Sequence, residues 1–260
     1  MVNRVIGWVL VAVPALVALG GPLVPGDISS TSLPSAPPGA GHPLGTDVLG
    51  RDALAVVLSG GLSVVGITLA ALLLAYAMGV PLGLVAAGRG RWLDEVLMRL
   101  LDLVLAFPSL LVLMVLAATG HRSAVVLVCA VAVVQLPAIA RLVRAAALAP
   151  GCRTAAEALL LQGEPWWRIQ AGYVVRSVAG PVVTDAGTRL GLVLYLLASA
   201  NFLGLGLPSS APDWAVVIER NRDALTTQPA VVLVPAALLI ALCVGVNLLS
   251  DKALAHRRRS

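Results

Sequence analysis

Apolar residues run along this chain in long blocks, separated by short polar stretches. A helix needs roughly 20 such residues to cross the hydrocarbon core of a bilayer. Six blocks qualify: 5–23, 62–87, 100–119, 124–142, 178–203 and 230–249. The pattern predicts an all-α, polytopic membrane protein with six transmembrane helices. The first block follows Arg4 and so has the outline of a signal peptide. It is long enough to span, however, and no small-x-small cleavage site follows it, so it is read as a retained helix. Composition agrees: of 260 residues, 59% are hydrophobic and 12% charged, where a soluble domain carries about 25% charge. A soluble enzyme, a disordered chain and a coiled coil are excluded. Only 4% of residues are aromatic, and the Leu, Val and Ala mass suits helices better than a barrel.

The polar stretches set the topology. With the N-terminus inside, thirteen of the 18 basic residues fall on the inner side. Arg51, Arg122, Arg220 and Arg222 lie outside, and Arg189 lies within the fifth span. This bias predicts that both termini are cytoplasmic. The organisation expected is an N-terminal transmembrane helix (1–24), an extracytoplasmic segment (25–61), a five-helix core with an inner loop at 150–168 (62–250), and a basic tail (251–260). The net charge of +5 is thereby a matter of topology and lipid headgroups, with no nucleic-acid site implied.

Chemistry-bearing residues are few. The only lysine, Lys252, follows Asp251 where a phosphate-binding loop needs glycine. Nucleotide hydrolysis, if used, belongs to another chain. Cys129, Cys152 and Cys243 have no paired spacing, and His42, His121 and His256 form no ligand set. No metal site and no catalytic residue are expected. Asp185 and Arg189 stand one turn apart in the fifth span, where charges usually face a bundle interior or an aqueous path. They are read as a pathway or inter-subunit pair, the alternative being that both snorkel to the interface. Asp102 is expected to form an interfacial pair near Arg99, Trp166 and Trp167 to anchor at the interface, and Gly79-x-x-x-Gly83 to permit close helix packing.

Residues 150–165, PGCRTAAEALLLQGEP, predict a short inner helix. Thr154 and Glu157 have the spacing of a capping box, Gly163 can supply a left-handed end, and Pro165 forbids continuation. About eight residues result, marginal in water unless packed on something. From the residues alone two homes are open for its three leucines. One is the membrane interface or the bundle itself; the other is a groove on a partner protein.

The run Glu157-Ala158-Leu159-Leu160-Leu161-Gln162-Gly163 resembles the EAA loop of binding-protein-dependent ABC importer permeases. Further segments agree in order: His42 to Asp52 (HPLGTDVLGRD), Trp92 to Asp94, Met98-Arg99 with Asp102, Phe107-Pro108, Ala140 to Arg144 (ARLVR), Phe202 to Gly206 (FLGLG), Pro212 to Trp214, and Asn247 to Leu249 with Asp251. The chain is similar to the DppC/OppC-type subunits of the dipeptide, oligopeptide and nickel permeases. It departs from their pattern at Leu159, Leu160, Arg176 and Ser250.

The resemblance implies a permease subunit of an ATP-driven importer in the bacterial cytoplasmic membrane, most simply for di- or oligopeptides. Its expected partners are a second, DppB-like permease, two cytoplasmic ABC ATPases that bind ATP and Mg, an extracytoplasmic substrate-binding protein, and membrane lipid. No cofactor is expected on this chain. Ala155, Ala156, Glu157, Ala158, Leu159, Leu160, Leu161 and Gly163 are expected to couple to an ATPase. Asp213, Trp214 and Arg220, on the second long outer loop, are expected to contact the binding protein. A nickel or other small-solute importer of the same family is an alternative. A stand-alone secondary transporter or scaffold is a more remote one, disfavoured by the capped Leu-rich inner helix and by the absence of a dense set of mid-membrane acids.

Overall fold

The computed structural model describes residues 2–23, 32–39 and 41–257. Residues 258–260 of the expected basic tail fall outside the described residues, as do 24–31 of the outer segment. Among the described residues the α-helices are α1 Val2–Gly20, α2 Ala53–Gly88, α3 Arg91–Leu105, α4 Ser109–Ala118, α5 Ala124–Ala147, α6 Pro150–Leu161, α7 Trp166–Arg168, α8 Val175–Phe202, α9 Trp214–Asn221 and α10 Pro229–Arg257. A π-helical turn, Ile169–Val174, joins α7 to α8. Five stretches are long and apolar enough to cross a membrane, and α3 with α4 makes a sixth if the bent pair counts as one.

Three boundaries differ from expectation. α2 starts at 53 because Asp52 caps it, its Oδ2 accepting from the Ala55 N–H at 3.2 Å. The helix is 36 residues long, about 54 Å, so it projects well beyond a bilayer core. The third span is broken. α3 and α4 meet at 68°, where Phe107 and Pro108 interrupt the backbone ladder. The ten residues of α4 reach only about 15 Å and cannot span alone. The fifth span is preceded without a break by the π-turn and α7, making one helical body from Trp166 to Phe202.

Packing follows the small residues. α2 lies most extensively along α5. A Cβ at Gly79 would stand 2.7 Å from Ile139, and one at Gly83 2.6 Å from the Ala140 carbonyl, so the expected close approach is present. Two ion pairs tie α3 to α5: Arg144 grips Asp94 through Nε and Nη2, and Arg141 meets Asp102. Arg99 pairs with Glu95 at 2.5 Å instead of with Asp102, which corrects the pairing expected from sequence proximity. α1 packs against α10, and α8 lies between α2, α5 and α10.

Candidate functional site

α6 and the α2–α3 turn mark one end of the bundle; α9 and residues 41–52 mark the other, the length of α2 away. At the first end, α6 opens on Pro150, whose missing N–H is no loss in a first turn. It closes at Gly163, φ +84°. The Glu164 N–H donates to the Leu159 carbonyl (3.2 Å) and the Gly163 N–H to that of Leu160 (3.0 Å), a paired left-handed ending. Two expectations are corrected. The helix has 12 residues, and Thr154 and Glu157 do not cap it. With Pro150 serving as first residue, Thr154 is interior; its Oγ1 donates back to the Pro150 carbonyl at 2.9 Å. Glu157 pairs with Arg153 at 2.8 Å.

The three leucines also divide. Leu159 and Ala156 pack on the protein's own core beside Cys152, Ile169 and Val174, and Ala155 is half-buried. Leu160 is 49% exposed and Leu161 91%. The displayed apolar surface is therefore Ala158, Leu160 and Leu161, with Glu157 at its edge. Behind α6 lies a cleft of about 650 Å³ whose walls include Arg91, Asp94, Arg153, Glu157 and Trp166. Trp166 lies against Gly88, and Arg89 sits over its ring, 4.8 Å from the centroid. It clamps α7 to the end of α2; of the Trp166–Trp167 pair, Trp167 stays exposed.

Within the bundle, Asp185 and Arg189 pair as expected, both largely buried. Sequence reasoning missed their partners. The Tyr76 hydroxyl donates to Asp185 Oδ2 at 2.6 Å, and Arg189 Nη1 donates to Gln135 Oε1 at 3.3 Å. A closed polar network thus joins α8 to α2 and α5. Tyr76 and Gln135 are isolated polar residues in apolar blocks, and that isolation was the signal.

At the other end the segment His42 to Asp52 builds a folded cap. Gly45 (φ +75°) and Gly50 (φ +77°) make its turns, which side chains would strain. Asp47, 1% exposed, accepts from the N–H groups of Leu49 and Arg51, both at 2.9 Å. Its Oδ2 takes Arg51 Nε and Arg220 Nη2, each at 3.0 Å. The two guanidiniums also hold the carbonyls of Ser210 and Ser209. Burial pulls Arg220 below the usual arginine range, Arg51 beside it acts the same way, and Asp47 opposes both.

Asp213, Trp214 and Arg220, expected at a binding-protein contact, turn their side chains inward within this chain. Asp213 is 1% and Trp214 0% exposed. Asp213 caps α9, Oδ1 accepting from the Ala215 N–H (3.0 Å) and Oδ2 from Ser63 Oγ (3.2 Å); burial raises its carboxyl above the usual range, against its hydrogen bonds. Trp214 Nε1 donates to the Val57 carbonyl at 2.6 Å. The three residues lock this loop onto α2 and the 42–52 cap because a capped α9 must turn its apolar side inward. What the loop exposes is Pro208 to Ser210, Arg222, Asp223 and Leu225 to Thr227.

Comparison with known proteins bears on all three regions. Residues 79–259 match the family described as binding-protein-dependent transport system inner membrane component. The chain is 28% identical over 250 residues to the dipeptide transport system permease protein DppC of Alkalihalophilus pseudofirmus, covering 95% of this chain and 82% of that protein. It is 32% identical over 215 residues to the glutathione transport system permease protein GsiD of Pectobacterium atrosepticum, covering 82% and 71% respectively. Against the probable D,D-dipeptide transport system permease protein DdpC of Escherichia coli it is 30% identical over 215 residues, covering 83% and 72%. With the family match extending from Gly79 near the end of α2 through α6 to residue 259, this protein belongs to the inner-membrane components of binding-protein-dependent transport systems.

Proposed function

We propose that this chain is a permease subunit of an ATP-driven, binding-protein-dependent importer for di- or oligopeptides. The observation that carries the reading is α6. It is a stopped helix displaying Leu160 and Leu161 at a bundle end rich in arginine. The charge bias supports a cytoplasmic setting for that end and for both termini. There each exposed leucine would gain roughly 1.5–3 kcal/mol by entering an ATPase groove. ATP and Mg would bind to the two ATPase chains, and this chain would supply no catalytic group. A second permease completes the conducting path, and closure of the ATPases rocks the spans between inward and outward states. The binding protein would dock at the cap end, where the exposed surface includes Arg222, Asp223 and Leu225. Peptide cargo is supported by relatives named for dipeptide, D,D-dipeptide and glutathione transport. The test is to purify the intact assembly through this chain and measure ATP-driven uptake of labelled dipeptides and of nickel into proteoliposomes. Peptide uptake without nickel uptake is expected; the reverse would move the protein to the small-solute branch, and loss of the ATPases from the purified assembly would remove the reading of α6.

A further inference from the structure

The hydroxyl side chains of α8 share one side, with glycine in the same row. Ser177, Gly180, Thr184, Thr188, Tyr195 and Ser199 follow one another at steps of three, four, four, seven and four residues, which keeps them in a single stripe of a helix with 3.6 residues per turn. Gly191 fills the turn between Thr188 and Tyr195. This chain leaves much of the stripe bare. Ser177 is exposed, Thr184, Thr188 and Ser199 are half-buried, and Tyr195 is 67% exposed. The helical body containing α8 is also the least apolar of the five long spans, yet only 28% of its spanning stretch is buried, against 44% for α2 and for α5. Lipid is the wrong neighbour for such a face, since uncovered polar groups in a membrane meet water or protein.

Polar groups from other helices flank the same face. On one side the amide of Asn247 lies over Gly191, and Ser250 Oγ donates to the Gly187 carbonyl at 2.6 Å. On the other lie Asp185 and Arg189, mutually neutralised and held by Tyr76 and Gln135. The hydroxyl protons of Ser177, Thr184 and Thr188 are already engaged. Ser177 donates to the Tyr173 carbonyl (3.0 Å), Thr184 to that of Gly180 (2.9 Å) and Thr188 to that of Asp185 (2.8 Å). Each of these three oxygens therefore keeps acceptor lone pairs for another donor. We propose that this face of α8 is a wall of the conducting path, and that its hydroxyl oxygens accept hydrogen bonds from the backbone N–H groups and terminal ammonium of the passing peptide. Such a wall carries no net charge and reads no side chain, which suits cargo of varied sequence.

The inference rests on the importer reading, and its test separates the two. In the complete assembly, with Cys129, Cys152 and Cys243 replaced, single cysteines are placed at Ser177, Thr184 and Thr188, and at Leu16 and Leu73 as lipid-facing controls. A membrane-impermeant thiol reagent should label the α8 positions and not the controls, and a transported dipeptide should protect Thr184→Cys and Thr188→Cys. The double variant Thr184→Val, Thr188→Val keeps shape and removes two acceptors. It should lower uptake at subsaturating peptide about ten-fold, to a similar degree for peptides of different side chains. Unreactive or unprotected α8 cysteines in an assembly that still imports peptide would overturn this inference alone. Absence of peptide uptake by the unsubstituted assembly would overturn the importer reading and this one with it.

Discussion

Arg220 donates to Asp47 Oδ2 from 3.0 Å, across 173 positions of sequence, with neither side chain more than 7% exposed. The same oxygen takes Arg51, so one buried carboxylate holds two guanidiniums. Asp47→Ala strands both cations, whereas Arg220→Ala leaves the Arg51 pair whole. Breaking a buried pair costs about 3–5 kcal/mol. Asp47→Ala should therefore lower the melting temperature of the purified assembly markedly more than Arg220→Ala does. Equal losses would mean that the two arginines do not share the carboxylate.

Asp213 makes a second prediction, in pH. Burial raises its native carboxyl above the unfolded value of about 3.9. The native state then holds its proton more tightly, so this group's contribution falls as pH rises from the unfolded value through the raised native one. Asp213→Asn keeps a side-chain oxygen to cap α9 and carries no charge. Melting temperature against pH should lose that part of its downward slope in the variant. An unchanged profile would show that Asp213 titrates normally.

The charge pair of α8 makes a third. Asp185→Ala strands Arg189, and Arg189→Ala strands Asp185; the double change strands neither. Each single variant should reduce assembly or transport more than the double variant. Tyr76→Phe removes only the hydroxyl bond to Asp185 and should cost about 1 kcal/mol. Normal transport by both single variants would mean the pair is a bystander.

What could be read from the chain beforehand was mostly local. Gly163 and Pro165 stop α6 because both signals act within a turn, and the glycine pair at Gly79 and Gly83 marks the α2–α5 contact because backbone approach needs no side-chain partner. The start of α6 was misplaced because Thr154–Glu157 and Pro150 are rival openings, and either satisfies a first turn. Asp102 was matched to Arg99 by proximity, while its partner Arg141 lies 39 positions away. Asp213 and Trp214 looked available on a long outer loop. Their burial depends on Val57 and Ser63 of α2, which no period of the loop itself encodes. The motif around Asp47 showed kinship; its role as the buried centre of the cap is a matter of three dimensions.

The exposure of the α6 leucines sets the last prediction. Leu161 is 91% exposed and Leu159 packs on the protein's own core, so the same substitution should act differently at neighbouring positions. Leu161→Asp leaves the core untouched. It replaces an apolar contact of roughly 1.5–3 kcal/mol with a carboxylate that must be desolvated in the groove. ATPase retention on the purified complex should fall ten-fold or more, since ~1.4 kcal/mol is one decade, while membrane insertion and the melting temperature of this chain hold. Leu159→Asp puts the charge beside Cys152, Ile169 and Val174 and should destabilise the chain itself. Gly163→Val attacks the contact by geometry. A β-branched residue resists φ +84°, and nothing crowds the position, so the ending of the helix changes and its packing does not. If Leu161→Asp and Gly163→Val both retain the ATPases and import at the normal rate, α6 rests on the membrane surface and couples to nothing.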